Sequence, residues 1–218
     1  MRWLPRNASA FGAMTNDLSK RPNESSRVEA FSDGVFSIAI TLLVLELAVP
    51  AVAGHFGEDL RDEWVSYVAY LAAFGSIGVL WMGHHTIFTR IRAVDSGLLW
   101  RNLVLLLTVS VVPFPTAVIA SAYRVGTNAD QTAGVVAYAI VGMASGVAWL
   151  LLFSYLRAHR DLVDRGSDPR FFRLTEPLLT LGGYGLAAAI GFVAPSAALV
   201  IFLFFPAAYV IRVRSAEH

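Results

Sequence analysis

The sequence predicts an all-α membrane protein with six transmembrane helices per chain and both termini in the cytoplasm. Three observations lead there. The 218 residues are 56% hydrophobic and only 15% charged, whereas soluble domains carry about 25% charged residues. Six apolar windows approach the roughly 20 residues needed to cross a hydrocarbon core. The cationic residues also fall almost entirely on one side of those windows.

Taken in order, the windows are about 30–50, 65–88, 98–121, 132–156, 177–194 and 196–211. The first 26 residues are polar, with Pro5, Asn7, Asn16 and Pro22, and lack the apolar core of a cleavable leader. They read as a disordered cytoplasmic tail. Residues 27–214 form the six-helix membrane domain, and 215–218 a short cytoplasmic tail. Pro113 and Pro115 fall inside the third window, where they kink a helix or end one. Gly142 and Gly146 give the fourth a small-xxx-small spacing suited to close helix packing. Pro177 follows Thr175 and Glu176, a position where a first-turn proline is tolerated. Only Pro195 and its neighbours separate the last two windows, which should form a tight hairpin.

With the N-terminus inside, 15 of the 17 Lys and Arg residues lie on the inner side, and only Arg61 and Arg124 lie outside. That is a strong positive-inside asymmetry. The first outer loop is acidic, with Glu58, Asp59, Asp62 and Glu63. Aromatic anchors agree: Trp64, Tyr67 and Tyr123 near the outer face, Trp100, Trp149 and Tyr155 near the inner one. A net charge of +1 gives no reason to expect a nucleic-acid partner. The absence of cysteine excludes disulfides, thiol catalysis and cysteine metal sites. No nucleophile, base and oxyanion constellation appears, so an enzyme is not expected.

The first window carries the most information. Arg27 to Val49 reads RVEAFSDGVFSIAITLLVLELAV, a charged start running into an apolar helix. On a wheel of about 100° per residue, Phe31, Leu42, Leu45 and Val49 fall within roughly 40° of Ile38, with Thr41 at about 60°. Ser32 and Asp33 lie about 120–140° away, on the back. An Asp inside a span is costly unless it faces protein or water. Topology puts Trp81, His84 and His85 on the second window and Asn102 on the third at the same inner depth. Asp33 is therefore expected to accept a hydrogen bond from a histidine or from Asn102. Adjacent histidines point about 100° apart on a helix, and no third ligand stands at helical spacing, so neither a metal site nor a cofactor is expected. Glu46 lies about 80° off the stripe, near the outer mouth.

These residues carry a resemblance. Arg27, Phe31, Ser32 and Asp33 match the signature R-x-x-x-F-S-D of the transmembrane protein 175 family, the lysosomal and endosomal potassium channels and their prokaryotic relatives. The agreement continues through Trp81-x-x-His84-His85-x-x-Phe88, Asn102-Leu103 and Pro113-Phe114-Pro115. The resemblance implies a homotetramer in a bacterial plasma membrane, a multi-pass assembly with one six-helix unit per chain. Its pore would be lined by the first helix of each subunit, without a TVGYG filter loop. It implies a hydrophobic constriction at Ile38, Leu42 and Leu45, a hydroxyl selectivity layer at Thr41, and potassium as the permeant ion. Arg27, Ser32 and Asp33 would then knit the first helix to the second and third. Two other readings compete. One is a proton-coupled secondary transporter working through Asp33 and His84 or His85, against which stands the lack of inverted repeats. The other is a structural or signalling membrane protein with no conduction.

Overall fold

The computed structural model describes residues 24–49, 54–168 and 172–215, with side chains described as far as Pro206. Helix α1 spans Glu24–Leu42 and tightens into a single 3-10 turn, Leu43–Glu46, before Leu47 becomes extended. Pro50 follows shortly in the sequence and disfavours helical backbone just before it. A short helix α2, Phe56–Asp62, precedes α3, Trp64–Phe88. Then come α4, Ser96–Val111, and α5, Pro113–Val125, followed by α6, Asn128–Ala158. The last two are α7, Thr175–Gly191, and α8, Pro195–Ser215.

Among the described residues, four stretches are long and apolar enough to cross a membrane: Glu24–Glu46, Trp64–Phe88, Ser96–Val125 and Asn128–Ala158. The fifth and sixth expected windows are helices too, with 17 residues in α7 and 21 in α8, of which Pro195–Pro206 is apolar among the residues with described side chains. Of the tail expected over 1–26, residues 1–23 lie outside the described residues and Glu24–Ser26 are already helical. Residues 216–218 of the expected C-terminal tail also lie outside them.

The third window divides at Val112. Pro113 opens α5 at its first turn, where its missing N–H costs no hydrogen bond. The hydroxyl of Thr116 donates to the Val112 carbonyl at 2.9 Å, alongside the Thr116 backbone N–H at 3.4 Å. Helix α6 begins with a reciprocal capping box in which Thr127 and Asp130 satisfy each other's backbone N–H groups. α1 packs on α3 and α4, α3 on α8, and α6 on α4, α5 and α7. Gly142 lets α6 approach α7 closely, for a Cβ there would sit 2.5 Å from the Tyr184 ring.

The core has two parts. One gathers Phe36, Leu43, Ile77, Val109, Ile119, Tyr138 and Phe202. The other, toward the α3–α4 and α6–α7 loops, gathers Phe88, Leu98, Leu105, Leu152, Leu156 and Phe172. Those two loops pair like a fragment of antiparallel sheet around Ile91 and Val163. The Arg92 N–H donates to Leu162 at 2.9 Å, and the Asp164 N–H to Arg90 at 3.0 Å. Asp95 caps α4 by accepting from the Leu98 N–H at 2.7 Å and also accepts from the Tyr155 hydroxyl at 2.6 Å. These bonds, Tyr155 first, hold its carboxyl below the usual aspartate range. At the opposite ends of the helices, Glu63 accepts from Arg124 Nε at 2.5 Å and from the Ser66 hydroxyl at 2.6 Å. The Arg124 guanidinium chiefly lowers the Glu63 pKa, against the opposing effect of burial.

Candidate functional site

Helix α1 has two unlike faces. Its back buries Ser25, Ser32, Phe36 and Ala39, and Leu43 continues the row. Its front is uncovered: Ile38 is 61% exposed and Leu45 73%, with Phe31 and Leu42 also exposed. Large aliphatic side chains stand out from the fold along the whole front. Beside them the Thr41 hydroxyl donates to the Ile38 carbonyl at 2.9 Å. With its hydrogen directed at the backbone, that oxygen presents only lone pairs outward. A shallow apolar groove between α1 and α4 is lined by Val35, Ile38, Ala39, Leu42 and Ser110. Glu46 is half-buried in the turn that ends the helix.

A ladder of hydrogen bonds joins α1 to α3 near the start of α1. Asp33 Oδ1 accepts from the Trp81 indole N–H at 2.9 Å. One helical turn away, Glu29 Oε1 lies 2.8 Å from His85 Nδ1. The two carboxylates are four residues apart on α1, and the two rings are four apart on α3. Antiparallel helices bring such pairs into register, because residues four apart share a face. The Trp81 and His85 rings stack, with centroids 6.1 Å apart.

A second, fully buried cluster joins α1, α3 and α4. The Ser32 hydroxyl donates to the Val28 carbonyl at 2.8 Å. It accepts from Asn102 Nδ2 at 3.0 Å, and Asn102 Oδ1 lies 2.9 Å from His84 Nε2. His84 is sandwiched in aromatic surroundings, with Phe88 stacked at 4.0 Å and Phe36 tilted at 5.4 Å. Buried polar groups that pair this way give helices a fixed register, each bond contributing about 0.6–2 kcal/mol in a membrane.

This arrangement corrects one expectation and supplies a residue the sequence reading missed. Asp33 accepts from Trp81, not from a histidine or Asn102. Asn102 is already spent on Ser32 and His84, and His85 faces Glu29. Glu29 had been passed over inside the motif. The i, i+4 match of two carboxylates on one helix with two ring donors on the other is the signal that would have found it. Arg27 and Phe31 are exposed and stand outside both sets of bonds. No direct hydrogen bond links Asp33 to His84 or His85 among the described residues.

The polar back and aliphatic front of α1 have counterparts in known proteins. The family model for the endosomal/lysosomal potassium channel TMEM175 matches residues 27–113. A potassium channel of Streptomyces collinus is 39% identical over 181 residues, covering 82% of this chain and 87% of its own. The chain belongs to the TMEM175 family. A potassium channel of Chamaesiphon minutus is 41% identical over 147 residues, covering 66% of this chain and 69% of its own. The crystal structure of a lysosomal potassium-selective channel TMEM175 homolog from Chamaesiphon minutus superposes with a TM-score of 0.74 at 33% identity, covering 87% of this chain and 97% of that one. The TMEM175 family is one of ion channels, not enzymes, and this chain shares its all-helical membrane fold. The matched residues 27–113 contain both hydrogen-bond clusters and the exposed front of α1.

Proposed function

We propose that the chain forms a homotetrameric, potassium-permeable and cation-selective channel whose pore is lined by α1 of each subunit. The observation that carries this reading is the exposure of Ile38, Leu42 and Leu45 on a helix whose opposite face is locked to α3 and α4. One chain provides one such helix, so a pore needs several copies around an axis. The chain crosses the membrane six times in this reading, with both termini inside the cell, and it resides in the bacterial plasma membrane. The charge asymmetry of the loops supports that orientation.

Rings of Ile38, Leu42 and Leu45 make an apolar constriction that gates by dewetting, since alkyl walls offer a stripped ion nothing. Potassium sheds its water more readily than sodium and is favoured there. The Thr41 oxygens replace part of the lost hydration, using the lone pairs left free by the bond to Ile38. Glu46 and the acidic loop beyond it raise the local cation concentration at the outer mouth. The Asp33 and Ser32 clusters then serve as the clasp that fixes the pore helix, and the proton-coupled transporter reading is not favoured.

The test is reconstitution into liposomes under a potassium gradient, followed by Ile38→Ala, Leu42→Ala and Leu45→Ala in turn. At least one replacement should raise conductance or reduce the preference for potassium over sodium. Permeation unchanged by all three would overturn the reading. Native mass spectrometry of the same samples reports the copy number.

A further inference from the structure

Helix α2, Phe56–Asp62, buries none of its residues against the rest of the chain. It has seven residues, and a free helix so short does not hold itself together in water. Its large apolar residues, Phe56 and Leu60, stand four apart on one face and are 52% and 46% exposed. Glu58 and Asp62 lie about 140–180° from that face on a helical wheel, and Asp59 about 80° from it. On the polar side, His55 Nδ1 meets Glu58 Oε2 at 3.2 Å.

The position of α2 identifies what covers its apolar face. One residue, Glu63, separates it from α3. Glu63 is fixed by Arg124 and Ser66, and the next residue, Trp64, is exposed. An ion pair open to solvent on its Arg124 side belongs at the water boundary, and the apolar span that starts at Trp64 belongs in hydrocarbon. α2 is tied to that boundary by a single residue. We propose that α2 is an interfacial helix lying on the bilayer surface beside the start of α3. Phe56 and Leu60 enter the lipid between headgroups and acyl chains, and Glu58 and Asp62 face water. With Arg61 against three carboxylates the polar side of α2 is net acidic and gives no net attraction to anionic headgroups, unlike the basic faces of free-standing membrane-binding helices. The contact is held instead by the covalent tether to α3, which makes it intramolecular.

The chain contains no cysteine, so single labels can be placed without background. Phe56→Cys, Leu60→Cys, Glu58→Cys and Asp62→Cys carry a nitroxide in phosphatidylcholine liposomes, and each variant is first checked for the elution position of the unmodified protein. The ratio of oxygen to nickel-chelate accessibility should be several-fold higher at 56 and 60 than at 58 and 62. Equal ratios at all four positions would overturn the proposal by placing α2 in water. Protection of 56 and 60 from both reagents would overturn it in favour of a second copy on that face. As a second measurement, brominated lipids should quench added fluorescence in Phe56→Trp more than in Glu58→Trp, and equal quenching counts against the proposal.

Discussion

Asn102 donates from Nδ2 to the Ser32 hydroxyl across 3.0 Å, and this contact fixes the direction of the buried cluster. Ser32 spends its own hydrogen on Val28, so it can only accept from Asn102. The amide oxygen of Asn102 must then face His84, and His84 must carry its proton on Nε2. His84 Nδ1 is left buried with no hydrogen-bond partner among the described residues. The proton on Nε2 is thus dictated by a serine on another helix. Nitrogen-15 spectra of labelled histidine in the reconstituted protein should show a proton on Nε2 of His84 at neutral pH, and the Nδ1–H form would contradict the assigned directions.

Replacing Asn102 by Ala leaves both Ser32 and His84 without their partner in a site closed to water. Ser32 keeps its bond to Val28, so a loss of about 1–3 kcal/mol of stability is expected from the buried His84 N–H left unpaired. Thermal unfolding in detergent should show it as a lower midpoint. Asn102→Ala unfolding at the wild-type temperature would mean that the cluster does not hold α4 to α1.

Trp81→Phe removes the indole donor from Asp33 while keeping an aromatic ring. Hydrogen bonds to charged groups contribute about 1.5–3 kcal/mol, and the half-exposed setting places this one toward the lower end. A double-mutant cycle with Asp33→Asn should give a coupling of about 0.5–2 kcal/mol. The Glu29–His85 rung has a more exposed histidine, so its coupling should be smaller, about 0.2–1 kcal/mol. Coupling in the opposite order would reverse the ranking of the two rungs.

Glu63 predicts a pH dependence. Its pKa is lowered in the folded chain, chiefly by Arg124. The unfolded chain therefore takes up the proton first as pH falls, and the stabilisation is complete above the ordinary glutamate pKa. It disappears as pH falls from the ordinary glutamate range through the lowered value. Wild type should lose stability over that interval more steeply than Glu63→Gln, while the difference between them stays constant from pH 6 to 8. Parallel curves down to pH 3 would show that the ion pair adds nothing.

Two glycines should respond in opposite ways. A Cβ at Gly142 meets the Tyr184 ring at 2.5 Å, whereas one at Gly34 meets nothing within 4 Å. Gly142→Val should destabilise by about 1–3 kcal/mol through overpacking. Gly34→Ala should leave the folding of the subunit unharmed, because alanine favours helix over glycine by about 1 kcal/mol. Equal damage from the two, measured by thermal unfolding, would contradict the packing of α6 on α7.

The amino-acid sequence alone established the all-helical membrane character, the approximate place of each long apolar helix and the division of α1 into two faces, but not the short helix α2 in what read as an acidic outer loop. Those features follow from composition and from a 3.6-residue period, which are local properties of the chain. Phe31, Ile38, Leu42 and Leu45 were legible as one stripe because they lie on one helix. The clasp was legible only as a set of residues at one depth. Which of them pair was decided by the tertiary structure, since the rotation and height of α1 against α3 and α4 select Asp33 with Trp81, Glu29 with His85, and Ser32 with Asn102. A wheel fixes angles within a helix, but the relative phase of two helices comes from packing the side chains between them. The break at Val112 shows the same division: Pro113 and Pro115 announced a disturbance, and the tertiary structure places it at Val112, where two helical segments meet within one apolar stretch from Ser96 to Val125.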